Sequence, residues 1–338
     1  MVKVSVIVPC YNEEKTIGLL LGAVYRQSFP RSETEVVVSD GLSSDRTQAV
    51  VAEFQDSHPD LSIRVVENSR RSIPSGLNAA IRASQGEFIV RLDAHSVPEP
   101  DYVARCVADL EACRGDNVGG VWQIKPGGKR WMARAIAAAA AHPLGVGDAL
   151  YRYATRPSEV DTVPFGAFRR ATIEKVGLFD ETLLTNEDYE LNTRIRQSGG
   201  KVWLDPDIRS VYFARSNLAA LARQYFRYGF WKFRMLQRYP NTLRWRQVLP
   251  PVFVTSLILF AVLSLFWGLA RIALVLEVGL YAAVMLAAGI SLAFKNKMGS
   301  LAAGVPLAIL TMHLSWGWGF LVSVVKSSYR NENQIKHP

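Results

Sequence analysis

The 338-residue chain carries 39 Lys and Arg against 30 Asp and Glu, a formal net charge of +9. That balance favours anionic partners such as nucleic acid, anionic lipid or a phosphorylated substrate, and the position of the charge chooses among them. Cys10, Cys106 and Cys113 have no metal-ligand spacing and make no disulfide framework, which excludes a cysteine-stapled secreted domain and suits a reducing compartment.

Residues 4–8 read as a buried strand with no apolar h-region or cleavage site, which predicts no secretory leader and a first domain that stays cytoplasmic. A helix over about 14–27 follows, then a strand at 35–39 and a helix to about residue 57 that Asp45 is placed to cap. A strand at 63–67, a helix at 75–84 and a strand at 88–92 complete the alternation, which implies a doubly wound, mostly parallel sheet. In such sheets the ligand sits beyond the carboxyl ends of the strands. Three of those ends, residues 9–14, 39–45 and 93–96, are polar.

Beyond Trp122 the pattern loosens. Cys106 and Cys113 are expected to be two small buried residues of one helix. Residues 131–141 predict an alanine-rich helix, 142–147 a loop, 188–197 a helix, and 201–204 a strand after Gly199-Gly200. From Val252 onward the chain is almost continuously apolar, with span candidates at about 252–270, 272–294 and 298–325, each near the ~20 residues a bilayer core requires. Lys295 and Lys297 place the loop between the second and third spans inside. Lys326, Arg330 and Lys336 fit an outside tail poorly. The expected organisation is a nucleotide-sugar domain over 1–215, a basic aromatic interface segment over 216–250, three spans over 251–326 and a tail over 327–338.

Several motifs then appear in order. Val6-Ile7-Val8-Pro9-Cys10-Tyr11-Asn12-Glu13-Glu14 resembles the opening of the family-2 glycosyltransferases, which have the GT-A (Rossmann-like) α/β fold. Asp40-Gly41-Leu42-Ser43-Ser44-Asp45-Arg46-Thr47 is similar to that family's second strand end, with Arg46 where glycine is common. Arg91-Leu92-Asp93-Ala94-His95 resembles its DXD metal motif, Asn186-Glu187-Asp188 its ED motif, and Gln224-Tyr225-Phe226-Arg227-Tyr228 its QXXRW motif with Tyr for Trp. The resemblance spans about the first 230 residues, and its wording is nearest to succinoglycan-type exopolysaccharide glucosyltransferases. It implies a UDP-sugar donor, with UDP-glucose as the expected one, and a polyprenyl diphosphate-linked saccharide acceptor at the cytoplasmic face of a bacterial inner membrane. Other exopolysaccharide assembly enzymes are implied as neighbours.

The residue chemistry supports the carry-over. Pro9, Tyr11, Glu13 and Asp40 sit at two strand ends, where a ring can stack on a base and carboxylates can accept from ribose or uracil; Asp40 also suits a turn before Gly41. Asp93 and His95, one residue apart after a strand, are the expected ligands of Mn²⁺ or Mg²⁺, with Mn²⁺ the better match to imidazole. The alternative has Asp93 alone reaching the metal. Asp188 is the expected base for an inverting transfer, with Glu187 orienting the acceptor. Acids crowded at a helix start also suit the macrodipole. Arg227 is expected to hold the donor diphosphate.

Between 223 and 246 there are seven Lys or Arg and no acid, interleaved with aromatics. Such a stretch can bind single-stranded nucleic acid, but spans begin directly after it, so a membrane-surface helix is expected and no nucleic-acid partner. Glu277 and Arg271 are expected to pair near an outer turn, and His313 to make an interhelical hydrogen bond. The rival functions are a processive polysaccharide synthase, for which three spans are few, and a non-catalytic nucleotide-binding membrane scaffold, against which Asp40, Asp93 and Asp188 stand.

Overall fold

The computed structural model describes residues 1–335. The chain opens as β1 (Val4–Cys10), α1 (Ile17–Tyr25), β2 (Thr34–Asp40), α2 (Thr47–Ser57), β3 (Ser62–Glu67), α3 (Ile73–Ala83) and β4 (Phe88–Arg91). It continues as β5 (Val97–Pro98), α4 (Tyr102–Glu111), β6 (Asn117–Pro126), α5 (Trp131–Ala140), the one-turn α6 (Pro143–Val146), β7 (Ser158–Glu159), β8 (Ala167–Arg169), α7 (Arg170–Val176), α8 (Glu187–Gln197) and β9 (Val202–Ala214). Four helices end the chain: α9 (Leu218–Leu236), α10 (Trp245–Leu263), α11 (Gly268–Lys295) and α12 (Leu301–Ile335).

The strands form one sheet in the order β3-β2-β1-β4-β8-β6-β9-β5, with β7 beside β9. β1, β2, β3 and β4 pair in parallel, so their carboxyl ends align: Cys10 is in register with Asp40, Asp40 with Glu67, and Ile7 with Arg91. The second half differs from the mostly parallel expectation, because β8 is antiparallel to both β4 and β6, and β5 and β7 are antiparallel to β9. The fold is a mixed α/β sheet domain followed by long apolar helices.

Residues 6–8 of β1 form an unbroken apolar run because both faces of the strand are covered. Val6 and Val8 enter one core with Val36, Val38, Leu20 and Val103; Ile7 enters the other with Val37, Leu77, Ile81 and Ile89. Cys106 is buried in the first core, but Cys113 lies past the end of α4 and is exposed, which corrects the expectation of a buried pair. Asp45 accepts from the Thr47 N–H at 3.0 Å and so satisfies one donor at the start of α2, although the N-cap position is Arg46 and not Asp45.

The chain divides into two compact units, residues 1–123 with 150–212, and residues 124–149 with 213–335. The segment 124–149, read above as part of the first domain, thus groups by its contacts with the terminal helices. Within this second unit, α9 is capped by Asn217, whose Oδ1 accepts from the Ala220 N–H at 2.9 Å. Gly229 lets α9 and α12 approach until backbones touch, since a Cβ there would overlap the Trp316 carbonyl.

Three helices, Trp245–Leu263, Gly268–Lys295 and Leu301–Ser328, are long and apolar enough to cross a membrane. They make the chain membrane-anchored. The first span is a helix that ends at Leu263, not near residue 270; residues 264–267 turn the chain into α11. The expected tail over 327–338 is helical to Ile335, and its Lys336 lies outside the described residues. Residues 142–147 are not a plain loop, because Pro143 starts a helical turn whose Leu144 N–H bonds His142 Nδ1 at 3.2 Å. Glu277 does not pair with Arg271. It accepts from Ser256 Oγ, while Arg271 donates to the Ser264 carbonyl. His313 does bond across helices, its Nδ1 lying 3.0 Å from Tyr281 Oη.

Candidate active site

The loops after β1 and β2 are laced together at the carboxyl edge of the sheet. Asn12 sits at φ 54° and Leu42 at φ 60°, left-handed conformations that non-glycine residues adopt at turns. Asn12 Oδ1 accepts from Ser44 N (2.8 Å), Asn12 N donates to Ser43 Oγ (2.9 Å), and Glu13 N donates to Thr47 Oγ1 (2.7 Å). Asp40 is buried at the base of this lacing. One of its oxygens accepts from Ser43 Oγ at 2.6 Å and the other from Gln48 Nε2 at 2.6 Å. Its carboxylate is therefore engaged by its own loop, the turn role that the sequence also allowed.

Tyr11 is 47% exposed and packs beside Gly41, where a Cβ would come within 3.3 Å of the ring. Glu13 lies 3.3 Å from His95 Nδ1 through Oε1, and Thr16 Oγ1 donates to its other oxygen. Burial works against the Glu13 carboxylate, yet the His95 and Thr16 contacts outweigh it and hold its pKa below the ordinary value. The same edge buries Cys10, whose thiol is pushed up to about 12 by burial and by Glu13 and Asp40, so it is no nucleophile.

Arg91 organises the rest. It is the last residue of β4 and is 2% exposed, and its guanidinium reaches three carboxylates. Nη2 donates to Asp93 Oδ1 (3.1 Å) and to Glu187 Oε1 (3.2 Å), and Nη1 to Asp188 Oδ1. Glu187 and Asp188 stand in the first turn of α8, which Asn186 enters at φ 70°. That helix is pinned elsewhere: Arg194 forks onto Glu190 and donates to the Leu178 carbonyl, and Tyr189 Oη bonds Asp161 at 2.9 Å. The helix dipole adds to Arg91 in favouring acids there.

One guanidinium cannot neutralise three carboxylates. Burial, with the charges of Glu187 and Asp93, raises the Asp188 pKa well above the ordinary carboxylate value, against the pull of Arg91. The Asp188 side chain remains 28% exposed, so a substrate can reach it. Arg91 stays charged, because its three anions overcome the cost of its burial.

Asp93 and His95 stand after β4 with side chains 24% and 44% exposed. Arg91 occupies Asp93 Oδ1, which leaves Oδ2 for a ligand. No group of three or more His, Cys, Asp or Glu among the described residues is arranged to hold a metal. A divalent ion would take Asp93 and His95 at most, and the remaining ligands would have to be donor phosphate and water, as suits a metal that arrives with its substrate.

Arg227 is an exposed residue of α9 in the second unit, where Gln224 Nε2 donates to Tyr228 Oη at 2.7 Å across one helical turn. Sequence reasoning passed over Arg91, whose signal was a cation ending an apolar strand just before Asp93. It also passed over Arg71, exposed at φ 52° beyond the third strand end, and Phe165 at φ 64°. Gly166, next to Phe165, accepts from the Arg91 N–H at 3.0 Å, so a strained loop borders the cluster.

The family model described as Glycosyl transferase family 2 matches residues 5–177. The chain is 26% identical over 331 residues to the dolichyl N-acetyl-alpha-D-glucosaminyl phosphate 3-beta-D-2,3-diacetamido-2,3-dideoxy-beta-D-glucuronosyltransferase of Methanococcus voltae, which covers 96% of this chain and 98% of that one. It is 29% identical over 319 residues to the succinoglycan biosynthesis protein ExoA of Rhizobium meliloti, over 93% of each chain. Among solved structures, the mannosyltransferase PcManGT from Pyrobaculum calidifontis, in complex with GDP-Man and Mn²⁺, superposes with a TM-score of 0.60 at 23% identity, covering 92% of this chain and 86% of that one.

Proposed function

From the premise that the chain belongs to glycosyl transferase family 2 and is a glycosyltransferase, we propose that it moves a single hexose from a nucleotide diphosphate donor to a lipid-linked saccharide, inverting the anomeric carbon. The observation that carries this reading is the Arg91 cluster, in which one buried cation joins Asp93 of the metal motif to Glu187 and Asp188 of the acceptor motif. Leaving-group and nucleophile chemistry then meet at one point.

In a single displacement the acceptor oxygen bonds to the anomeric carbon as the bond to the diphosphate oxygen breaks, and the hydroxyl proton passes to Asp188. A carboxylate with a raised pKa is a better proton acceptor for that step. Glu187 orients the acceptor hydroxyl, and Arg91 holds both acids in place. Pro9, Tyr11 and Glu13 take the base and ribose, and Asp40 shapes their loop. Asp93 and His95 hold a divalent ion, Mn²⁺ in preference to Mg²⁺, which supplies charge neutralisation for the departing diphosphate.

Likeness to the Rhizobium protein supports a role in exopolysaccharide assembly with UDP-glucose as first donor to test. The dolichyl N-acetyl-alpha-D-glucosaminyl phosphate in the Methanococcus relative's name supports a lipid-linked acceptor, and the Mn²⁺ of the mannosyltransferase complex supports a metal. In this reading the first unit faces the cytoplasm. The test is purified protein in detergent with radiolabelled nucleotide sugars, Mn²⁺ and bacterial lipid extract. One sugar added to an extractable lipid is expected. Long insoluble polymer would make the chain a processive synthase, and no turnover of any donor would make it a scaffold.

A further inference from the structure

Asn78 is a polar residue on the buried face of α3, 2% exposed and on the same helix as the buried Leu77, Ala80 and Ile81. A buried amide holds its place only with its hydrogen bonds made. Both ends of this one go to the segment that precedes α8. Oδ1 accepts from the Phe179 N–H, and Nδ2 donates to the Phe179 carbonyl and to Glu181 Oε1, each at 2.9 Å. The side chain thus pairs with both backbone groups of Phe179 as a neighbouring strand would, from 101 residues away in the chain.

We propose that Asn78 is a positioning residue for transfer, which sets the ion pair between Arg91 and Asp188 by fixing the backbone of Phe179. The proposal rests on the reading of Asp188 as the base and names what holds it in place.

Both partners of that pair depend on the segment that Asn78 anchors. Phe179 is 3% exposed, and the Arg91 guanidinium lies over its ring, 6.0 Å from the centroid. That is the outer reach of a cation–π contact, so the ring acts on Arg91 more as a wall than as a charge partner. On the Asp188 side, the carbonyls of Val176, Gly177 and Leu178 all accept from Arg194, at 3.0 Å for Gly177 and 2.7 Å for Leu178. Arg194 also forks onto Glu190, one turn earlier in α8, at 2.6 and 2.8 Å. The helix that carries Asp188 in its first turn is therefore clasped to residues 176–178, and the next residue, Phe179, is clasped to α3. Glu181 completes the brace, since its second oxygen takes Arg70 from the loop before α3. That loop is tied in turn to the end of β2 by the Asn68 N–H, which donates to the Asp40 carbonyl at 2.8 Å.

The experiment compares Asn78→Ala and Phe179→Leu with the wild type as full-length protein in detergent. Asn78→Ala removes the clasp. Phe179→Leu keeps the clasp and removes only the ring, and it carries the test alone if the alanine variant does not fold. In each variant kcat should fall about 10- to 100-fold, the scale of a ~1 Å misplacement of a reacting group, while donor KM and UDP affinity stay at wild-type values. The loss should disappear in an Asp188→Asn background, because a residue that acts through Asp188 has nothing left to position there. Normal kcat with only a lower melting temperature would make Asn78 a purely structural residue and overturn the proposal. A full additional loss in the double variants would overturn it as well. Hydrogen exchange gives a readout independent of turnover: peptides over the first turn of α8 should exchange faster in Asn78→Ala, with β1 and β2 unchanged. Unchanged exchange in α8 would contradict the brace. Faster exchange there, together with normal transfer by Asp188→Asn, would uphold Asn78 as the brace of α8 and remove Asp188 as the base.

Discussion

Arg91 and Asp188, 97 residues apart in the chain, are joined by a half-buried ion pair between the end of β4 and the first turn of α8. Removing the cation would strand Asp93, Glu187 and Asp188 together. Arg91→Ala should therefore destabilise the first unit by about 3–5 kcal/mol, the usual cost of an uncompensated buried charge. Arg91→Lys keeps the charge but loses the fork that bridges three acids. It should fold with a smaller loss and still turn over poorly. Thermal unfolding and transfer rates for both variants decide this, and normal turnover by the lysine variant would remove Arg91 from the site.

The raised pKa of Asp188 sets a pH dependence. The base must be ionised, so activity is lost as pH falls through its pKa, and burial with Glu187 and Asp93 moves that point upward. The acidic limb of kcat/KM should lie well above the ordinary carboxylate range. Glu187→Gln removes one of the like charges and should move the limb down. A limb that does not move would assign it to another group.

Metal dependence follows from the donor set after β4. Activity should require a divalent ion and favour Mn²⁺, and His95→Asp should shift the preference toward Mg²⁺. An unchanged metal profile in that variant would leave Asp93 as the sole protein ligand. Full activity in excess chelator would remove the metal from the account.

The basic aromatic segment separates into two groups that the sequence alone could not distinguish. Lys232 is 2% exposed and donates to the Thr242 carbonyl at 3.2 Å, so it is not part of a membrane-facing stripe. Arg234 lies over the Phe230 and Trp231 rings, at 5.0 and 5.4 Å from their centroids, and Arg238 is exposed. Changing Arg234 and Arg238 to Ser should weaken binding to anionic vesicles by about 1 kcal/mol for each cation and leave the melting temperature unchanged. Lys232→Ser should do the reverse. A vesicle-binding loss in Lys232→Ser at unchanged stability would return it to the surface.

These cases show what local pattern carries and what it does not. The strands at Val6 and Val36 were legible because both sheet faces are buried and the runs are unbroken. The polar carboxyl edge of the sheet was legible because polar residues follow three of those runs. Lys232 was misplaced because a cation among aromatics on a helix looks the same whether its side chain meets headgroups or a backbone carbonyl such as that of Thr242. Arg91 was overlooked for a related reason: a charge at a strand end reads as a terminator until its partner is known, and Asp188 arrives only with the tertiary fold. The antiparallel pairing of β8 was hidden because its three residues are too few to show a period.

The central claim is that Asp188 takes the proton of the acceptor hydroxyl, and the most direct measurement pairs transfer rate with donor affinity in Asp188→Asn. The variant should bind UDP with nearly wild-type affinity in titration calorimetry while transfer to the lipid acceptor falls by about 10²–10⁴, the usual contribution of a positioned base. Near-normal transfer, or a collapse of UDP affinity with residual turnover unimpaired, would contradict the account.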